Sequence, residues 1–262
     1  MRTFDIPGPE RREVENLFRG VSQLRAVVDS ALDGHLGKAK VDDRGAPTVA
    51  SLELGCYTIL GGDPFLPTTR TWVETLDAPR ELLFPDSDDW RALLREVHGP
   101  ALTERPMQAF SAEDLSSQHL TGMAAPPPGV ELRRIDAGIA ARLDEELEPH
   151  ALQVFESPAD FAKRGIGFAA VQEGNPICVA TSYSFCQGAI ELAIATHPTH
   201  RGRGLAKSVA ATLILYCLER EITPHWNASN PVSQRLAQSL GYRPDGICEV
   251  LYLETNGVAT IR

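Results

Sequence analysis

One stretch of the chain combines residue types that could hold an anion. It reads Ile194-Ala195-Thr196-His197-Pro198-Thr199-His200-Arg201-Gly202-Arg203-Gly204-Leu205-Ala206-Lys207. An apolar, strand-like run feeds a loop with two glycines flanked by cations, and the loop opens into a helical pattern. Glycine lets backbone N–H groups turn outward and approach a ligand closely, and a helix N-terminus adds about half a positive charge. Arg201, Arg203 and Lys207 can add charge-assisted hydrogen bonds to phosphate oxygens. The spacing fits neither G-x-x-x-x-G-K-[ST] nor G-x-G-x-x-G. Taken alone, the same residues would also make a tight glycine turn with solvated arginines, so two readings stand at this point.

A second pattern follows at Asn230-Pro231-Val232-Ser233-Gln234-Arg235-Leu236-Ala237-Gln238-Ser239-Leu240-Gly241-Tyr242. Arg201 to Ala206 resembles the R/Q-x-x-G-x-G/A loop of the GNAT superfamily of acyl-CoA-dependent N-acyltransferases. Asn230 to Tyr242 resembles that superfamily's N-x-x-[AS]-x-x-L-x-x-x-L-G-[FY] signature. The resemblance covers about Val130 to Leu253. More narrowly, Glu191 to Pro198, Tyr216 to Arg220 and Pro224 to Asn227 are similar to the subgroup that includes the zwittermicin-resistance acetyltransferase.

The resemblance implies a role for each matching position. Ile194, Ala195 and Thr196 would end a strand that splays from its neighbour and offers backbone groups to pantetheine. Arg201, Gly202, Arg203, Gly204, Leu205 and Ala206 would cradle the diphosphate of acetyl-CoA. Asn230 would bond the pantetheine or hold the cleft, besides capping a helix, and Ser233 would pack or make a minor contact. The implied reaction is direct acetyl transfer from the thioester to a primary amine of a small molecule. A base must remove the ammonium proton, and Glu191, on the strand leading to the loop, is the candidate. Its other reading is an exposed strand glutamate. Many members carry a tyrosine that protonates the leaving thiolate where this chain has Ala237. A thiol pKa near ~8.5 lets that group depart without an enzymic acid. A non-catalytic acyl-CoA-binding module, acting as a sensor or regulator, is the alternative.

The elements that must position these residues read as follows. Val130 to Ile135 predicts a strand and 137–147 a helix; Ser157-Pro158-Ala159-Asp160 is a helix start. Phe168 to Gln172, Ile177 to Phe185 and Ala189 to Thr196 predict strands, the first two joined by Glu173-Gly174-Asn175-Pro176. A helix over Leu205 to Arg220, a strand over Pro224 to Ala228, a helix from Asn230 to Leu240 and a strand over Ile247 to Leu253 complete this half. Ala124 to Gly129, with three prolines, reads as a linker. Before it, signals are weaker: helical spacing over 10–33, and strands over Thr48 to Leu54, Cys56 to Leu60 and Glu81 to Phe84. A helix from Asp88 to Val97 follows, and Ser111 with Asp114 resembles a capping box for a helix to Leu120. The expected organisation is an α/β (α+β mixed) chain. An α+β N-terminal domain over 1–123, which could be a degenerate copy of the same fold, precedes a linker over 124–129. A GNAT domain over 130–262 follows, with a central, mostly antiparallel splayed sheet flanked by helices. No internal repeat is visible in the sequence.

Composition excludes several classes. The 262 residues are 43% hydrophobic and 23% charged, enough to bury a core. No apolar run reaches the ~18 residues of a membrane span, and the first residues lack the apolar region of a secretory signal. With 25 Lys plus Arg against 35 Asp plus Glu, the net charge of −10 disfavours nucleic acid and anionic membranes as partners. Five scattered cysteines suit a reducing compartment and buried thiols, and His197 and His200 lack further ligands for a metal. The expectation is a soluble, cytoplasmic monomer or homodimer using acetyl-CoA and no metal. Asp144, Glu145, Glu146, Glu148, Glu156 and Asp160 form an acidic stretch without Lys or Arg between its ends. It would either guide a cationic amine, such as an antibiotic or amino metabolite, or be a solvated helix face.

Overall fold

The computed structural model describes residues 3–76 and 80–254. They divide into two compact units, one of residues up to 107 together with 247 onward, the other of residues 108–246. The family-like half therefore does not begin at the proline-rich stretch. Residues 124–129, expected as the boundary between halves, lie inside the second unit.

The first unit contains β1 (Phe4–Asp5), α1 (Arg25–Leu32), β2 (Lys38–Val41), β3 (Val49–Leu54), β4 (Tyr57–Gly62), α2 (Pro67–Val73), β5 (Arg80–Pro85) and α3 (Asp88–His98). β1, β2, β3 and β4 pair antiparallel in sequence order, and β4 pairs parallel with β5 across α2. The expected helix over 10–33 is replaced by a 3₁₀ segment, Gly8–Phe18, and the shorter α1. Gly20 separates them: a β-carbon there would collide with the Asp86 carbonyl, so only glycine fits this close approach. The Arg11 guanidinium ties the segment down by donating to the carbonyls of Ile6, Ala31, Leu36 and Gly37 at 3.0–3.2 Å. The predicted strands and the helix after Ser87 form close to their expected places. The Ser87 hydroxyl accepts from the Trp90 N–H, and Trp90 is buried among Val49, Leu60, Trp72 and Leu94.

The second unit contains α4 (Ser117–Thr121), β7 (Glu131–Arg134), α5 (Ala137–Ala140), α6 (Glu148–Leu152), α7 (Pro158–Arg164), β8 (Gly167–Gln172) and β9 (Asn175–Cys186). It continues with β10 (Ala189–Thr196), α8 (Leu205–Leu218), β11 (Thr223–Ala228) and α9 (Pro231–Leu240). β7, β8, β9 and β10 pair antiparallel in sequence order, and β10 pairs parallel with β11 across α8. α8 is apolar on nearly every side: Val209, Leu213 and Cys217 meet Cys178, Ala180 and Ile190, while Ala210, Ala211 and Ile214 meet Trp226, Ala237 and Leu240. Two expectations fail locally. The helix over 137–147 stops at Ala140, because Asp144 Oδ1 accepts from the N–H groups of Glu146 and Leu147 (3.1 and 3.2 Å) and folds the chain into a turn. The capping serine is Ser116, accepting from His119 N at 3.4 Å, whereas Ser111 ends a strand.

Two further strands are β6 (Leu102–Ser111), after α3, and β12 (Arg243–Leu253), after α9. The C-terminal part of each, 108–111 and 247–253, belongs to the unit that the strand does not follow. Gln108, Ala109 and Phe110 of β6 pair antiparallel with β11, and Leu251 and Leu253 of β12 pair antiparallel with β5. The two units thus share one topology: an antiparallel run, a parallel step through a helix, a second helix, and a final antiparallel strand received from the other half of the chain. The sequence showed no repeat because pairing pattern, not residue identity, is what recurs. A fragment of residues 124–262 would strip β11 of its antiparallel partner and leave β12 without β5. We expect it to bind hydrophobic dye and to melt without a cooperative calorimetric peak, against a sharp peak for the full chain.

Candidate functional site

The loop Arg201–Gly204 is exposed and leads straight into α8. Gly202 (φ 77°) and Gly204 (φ 79°) are both left-handed, a conformation that disfavours any side chain, and a β-carbon at either would meet nothing within 4 Å. Gly204 is the N-cap residue, with no side-chain cap and no acid in the first turn. The first helical hydrogen bond runs from Ser208 N to Gly204 O at 3.3 Å, so the preceding N–H groups of the first turn have no helical acceptor. Leu205 is buried and anchors the turn, while Ala206 and Lys207 are half-buried. Arg201 Nε donates to the Thr196 carbonyl at 3.2 Å, and Arg203 donates to Gln172 Oε1 at 3.0 Å. What results is an exposed, cationic, donor-rich loop in which, among the described residues, no side chain fills the space over the glycines.

Beside it, β10 and β11 part. Their parallel pairing runs only through Ala189, Ile190 and Glu191, matched to Thr223, Pro224 and His225. From Leu192 to Thr196 β10 remains paired with β9, and its far edge, including Ile194, Ala195 and Thr196, has no strand partner among the described residues. A register shift at Glu191/Leu192 marks the point of departure.

Glu191 sits at that branch. The exposed-glutamate reading is wrong: the residue is 2% exposed, and its carboxylate accepts from Asn227 N at 3.2 Å and Asn227 Nδ2 at 3.1 and 3.2 Å. Burial raises its pKa to about 7, against the opposing pull of the Asn227 donors. A carboxylate that titrates there can take a proton at neutral pH.

The second signature behaves differently. Asn230 Oδ1 accepts from Ser233 N at 2.9 Å, making Asn230 the cap of α9, and Ser233 Oγ accepts from the Trp226 indole at 3.0 Å. Both residues thus hold α9 against β11. Ala237 is fully buried, and Tyr242, equally buried, donates to the Pro224 carbonyl at 2.8 Å, with burial holding its phenol well above the usual range. Burial likewise pushes the thiols of Cys178 and Cys217 up to about 11 and about 12, so neither is an activated nucleophile. Asn227 was missed by sequence reasoning. Its signal was a polar residue between two apolar ones, Trp226 and Ala228, on a strand.

The acidic stretch divides by environment. Asp160 is paired with Arg164, which holds its carboxyl below the usual range. Asp144 caps its own turn and lies 3.7 Å from His197 Nε2, beside the end of β10. Glu145, Glu146, Glu148 and Glu156 are exposed. In the first unit the corresponding turn, from β4 into α2, is Gly62-Asp63-Pro64-Phe65-Leu66 and carries no cation. Its Asp63 carboxylate accepts from Phe65 N at 2.9 Å, an acid where a diphosphate would need donors. Among the described residues no group of three or more His, Cys, Asp or Glu could hold a metal ion, and no helix is long and apolar enough to cross a membrane.

Comparison with known proteins meets this geometry. The uncharacterized N-acetyltransferase YdfB of Bacillus subtilis (strain 168) is 30% identical over 166 residues, a region that is 63% of this chain and 62% of that protein. A GCN5-related N-acetyltransferase-like protein from Streptococcus suis 89/1591 is similar in structure with a TM-score of 0.83 and 27% identity, over 93% of this chain and 98% of that one. A tandem GNAT protein from the clavulanic acid biosynthesis pathway shares the fold alone, with a TM-score of 0.54 and 14% identity over 96% and 97% of the two chains. The GNAT acetyltransferase family profile matches residues 15–251, spanning both units. The chain belongs to the GNAT acetyltransferase family.

Proposed function

We propose that the second unit transfers an acetyl group from acetyl-CoA to a primary amine of a small molecule, by direct attack with both reactants bound. The observation that supports this reading is the parting of β10 from β11 immediately after a buried, proton-accepting Glu191, alongside the open N-terminus of α8. When bound, acetyl-CoA supplies the thioester. The first-turn N–H groups of α8, with Arg201 and Arg203, hold the diphosphate. The free edge of Ile194, Ala195 and Thr196 aligns the pantetheine arm, so the thioester is held against the amine in near-attack geometry, worth about 7–11 kcal/mol at best. Glu191 accepts the ammonium proton. With alanine at 237, the thiolate leaves unassisted by a side chain there. The test is coenzyme A-dependent thermal stabilisation, followed by release of free thiol from acetyl-CoA across an amine panel. Stabilisation with turnover supports the reading; no stabilisation ends it.

The buried Ala237 favours a second reading, a unit that binds acyl-CoA without turning it over, as a sensor would. Stabilisation without thiol release across the whole panel would select it. For the acceptor, the exposed Glu145, Glu146 and Glu148, which follow Asp144 and its contact with His197 just beyond β10, favour a cationic amine, an amino metabolite or antibiotic. Replacing all three by glutamine should raise the KM of the best amine about fivefold at low salt and leave kcat unchanged. An unchanged KM removes the acidic stretch from acceptor binding.

A further inference from the structure

We propose that Asn227 is a positioning residue: it holds the Glu191 carboxylate at the branch between β10 and β11 and sets the pH at which that carboxylate takes a proton. This rests on the reading of Glu191 as the base. The geometry comes from alternation along two strands. Trp226 and Ala228 point into the apolar cluster beneath α8 and α9, which puts Asn227 on the opposite face of β11. Ile190 and Leu192 likewise pack toward α8, which leaves Glu191 on that same opposite face of β10. Where the strands stop sharing backbone hydrogen bonds, the Asn227 side chain spans the gap. Its amide reaches both carboxylate oxygens while its own backbone N–H reaches one of them.

This clamp does two things. It fixes the carboxylate in one plane, with both oxygens engaged, and hinders rotation about its last torsion. It also stabilises the ionised form, since donors to a carboxylate favour the charge that burial opposes. The titratable and polar groups on the surrounding elements are few. Glu191 faces Ser184, its register partner on β9, and His225, its register partner on β11. α6, packed on β9 and β10, brings Glu148 and His150, and Tyr242 follows α9 with its hydroxyl committed to Pro224. Asn227 donates three hydrogen bonds to the Glu191 carboxylate, one from its backbone and two from its side chain.

The experiment is a carbon NMR pH titration of the full chain labelled at glutamate carboxyls, with Glu191→Gln to assign the signal. Wild type should show one carboxyl titrating near pH 7. In Asn227→Ala that midpoint should rise by about one unit. In Asn227→Asp, which keeps the side-chain shape, a neighbouring carboxyl should raise it further. In wild type the Asn227 side-chain amide nitrogen should titrate with the same midpoint and should stop doing so in Glu191→Gln, a readout that needs no Asn227 variant to fold. An unmoved Glu191 midpoint in folded variants, or a flat Asn227 amide in wild type, overturns the inference. A fully active Glu191→Gln would dismiss Glu191 as the base while leaving the titration result standing, so the two failures are distinguishable.

Discussion

Replacing Glu191 by glutamine should lower kcat/KM for amine acetylation by about 10²–10⁴-fold, the range lost when a positioned general base is removed. In the wild type the rate should climb with pH through about 7, as the buried carboxyl ionises, and then level off. The variant should lack that limb. Loss of folding would not explain the result, and the linkage shows why. The native carboxyl has its pKa raised to about 7 from 4.5, so the folded state binds the proton more tightly than the unfolded one. Stability therefore falls as pH rises from 4.5 to about 7 and stays at the lower level above it. Neutral glutamine removes that penalty, so above pH 7 the variant should melt no lower than wild type. A variant that keeps its activity and its pH limb would remove Glu191 from the chemistry.

The second large effect belongs to Gly204. Aspartate there must adopt φ near 79°, at a cost of about 1–2 kcal/mol for a residue with a β-carbon, and it sets a negative charge at the positive end of α8. The strain, present with and without ligand, lowers stability, whereas the charge repels the diphosphate and should weaken coenzyme A binding by about 100-fold in calorimetric titration. Two controls separate the causes. Gly204→Ala retains the strain without the charge and should lower the melting temperature while leaving affinity near wild type. Pantetheine, which lacks the diphosphate, should bind wild type and Gly204→Asp alike. Equal coenzyme A affinity in all three proteins would mean that the loop over residues 202–204 holds no phosphate.

The parts of this fold that were legible in the sequence are those specified by neighbours in the chain. β10 spans the predicted residues, and α8 and α9 begin where glycine and asparagine said they would. Non-local physics hid the rest. Gly8–Phe18 has helical spacing, yet tertiary contacts of Arg11 hold it as a 3₁₀ segment. Asp144 looked like one acid in a charged run but is spent on a turn. β6, with Glu104, Arg105 and Pro106 at its middle, carries no clean alternation, and its partner lies more than a hundred residues away. For the candidate site, the loop was readable because glycines and arginines are local signals. The burial of Glu191 was not, since it depends on where β11 turns away and on an asparagine whose role emerges only across that gap.

The traded final strands also bear on how the protein is made. Leu83 finds its antiparallel partner in Leu251, so while the chain is being synthesised the early sheet sits with β5 uncovered until most of the later half has been translated. At ~5–20 residues per second that interval is about 10–30 seconds, long enough for an exposed edge to recruit a neighbouring nascent chain. Nascent-chain handling, more than equilibrium stability, would then govern the yield of this protein in a cell.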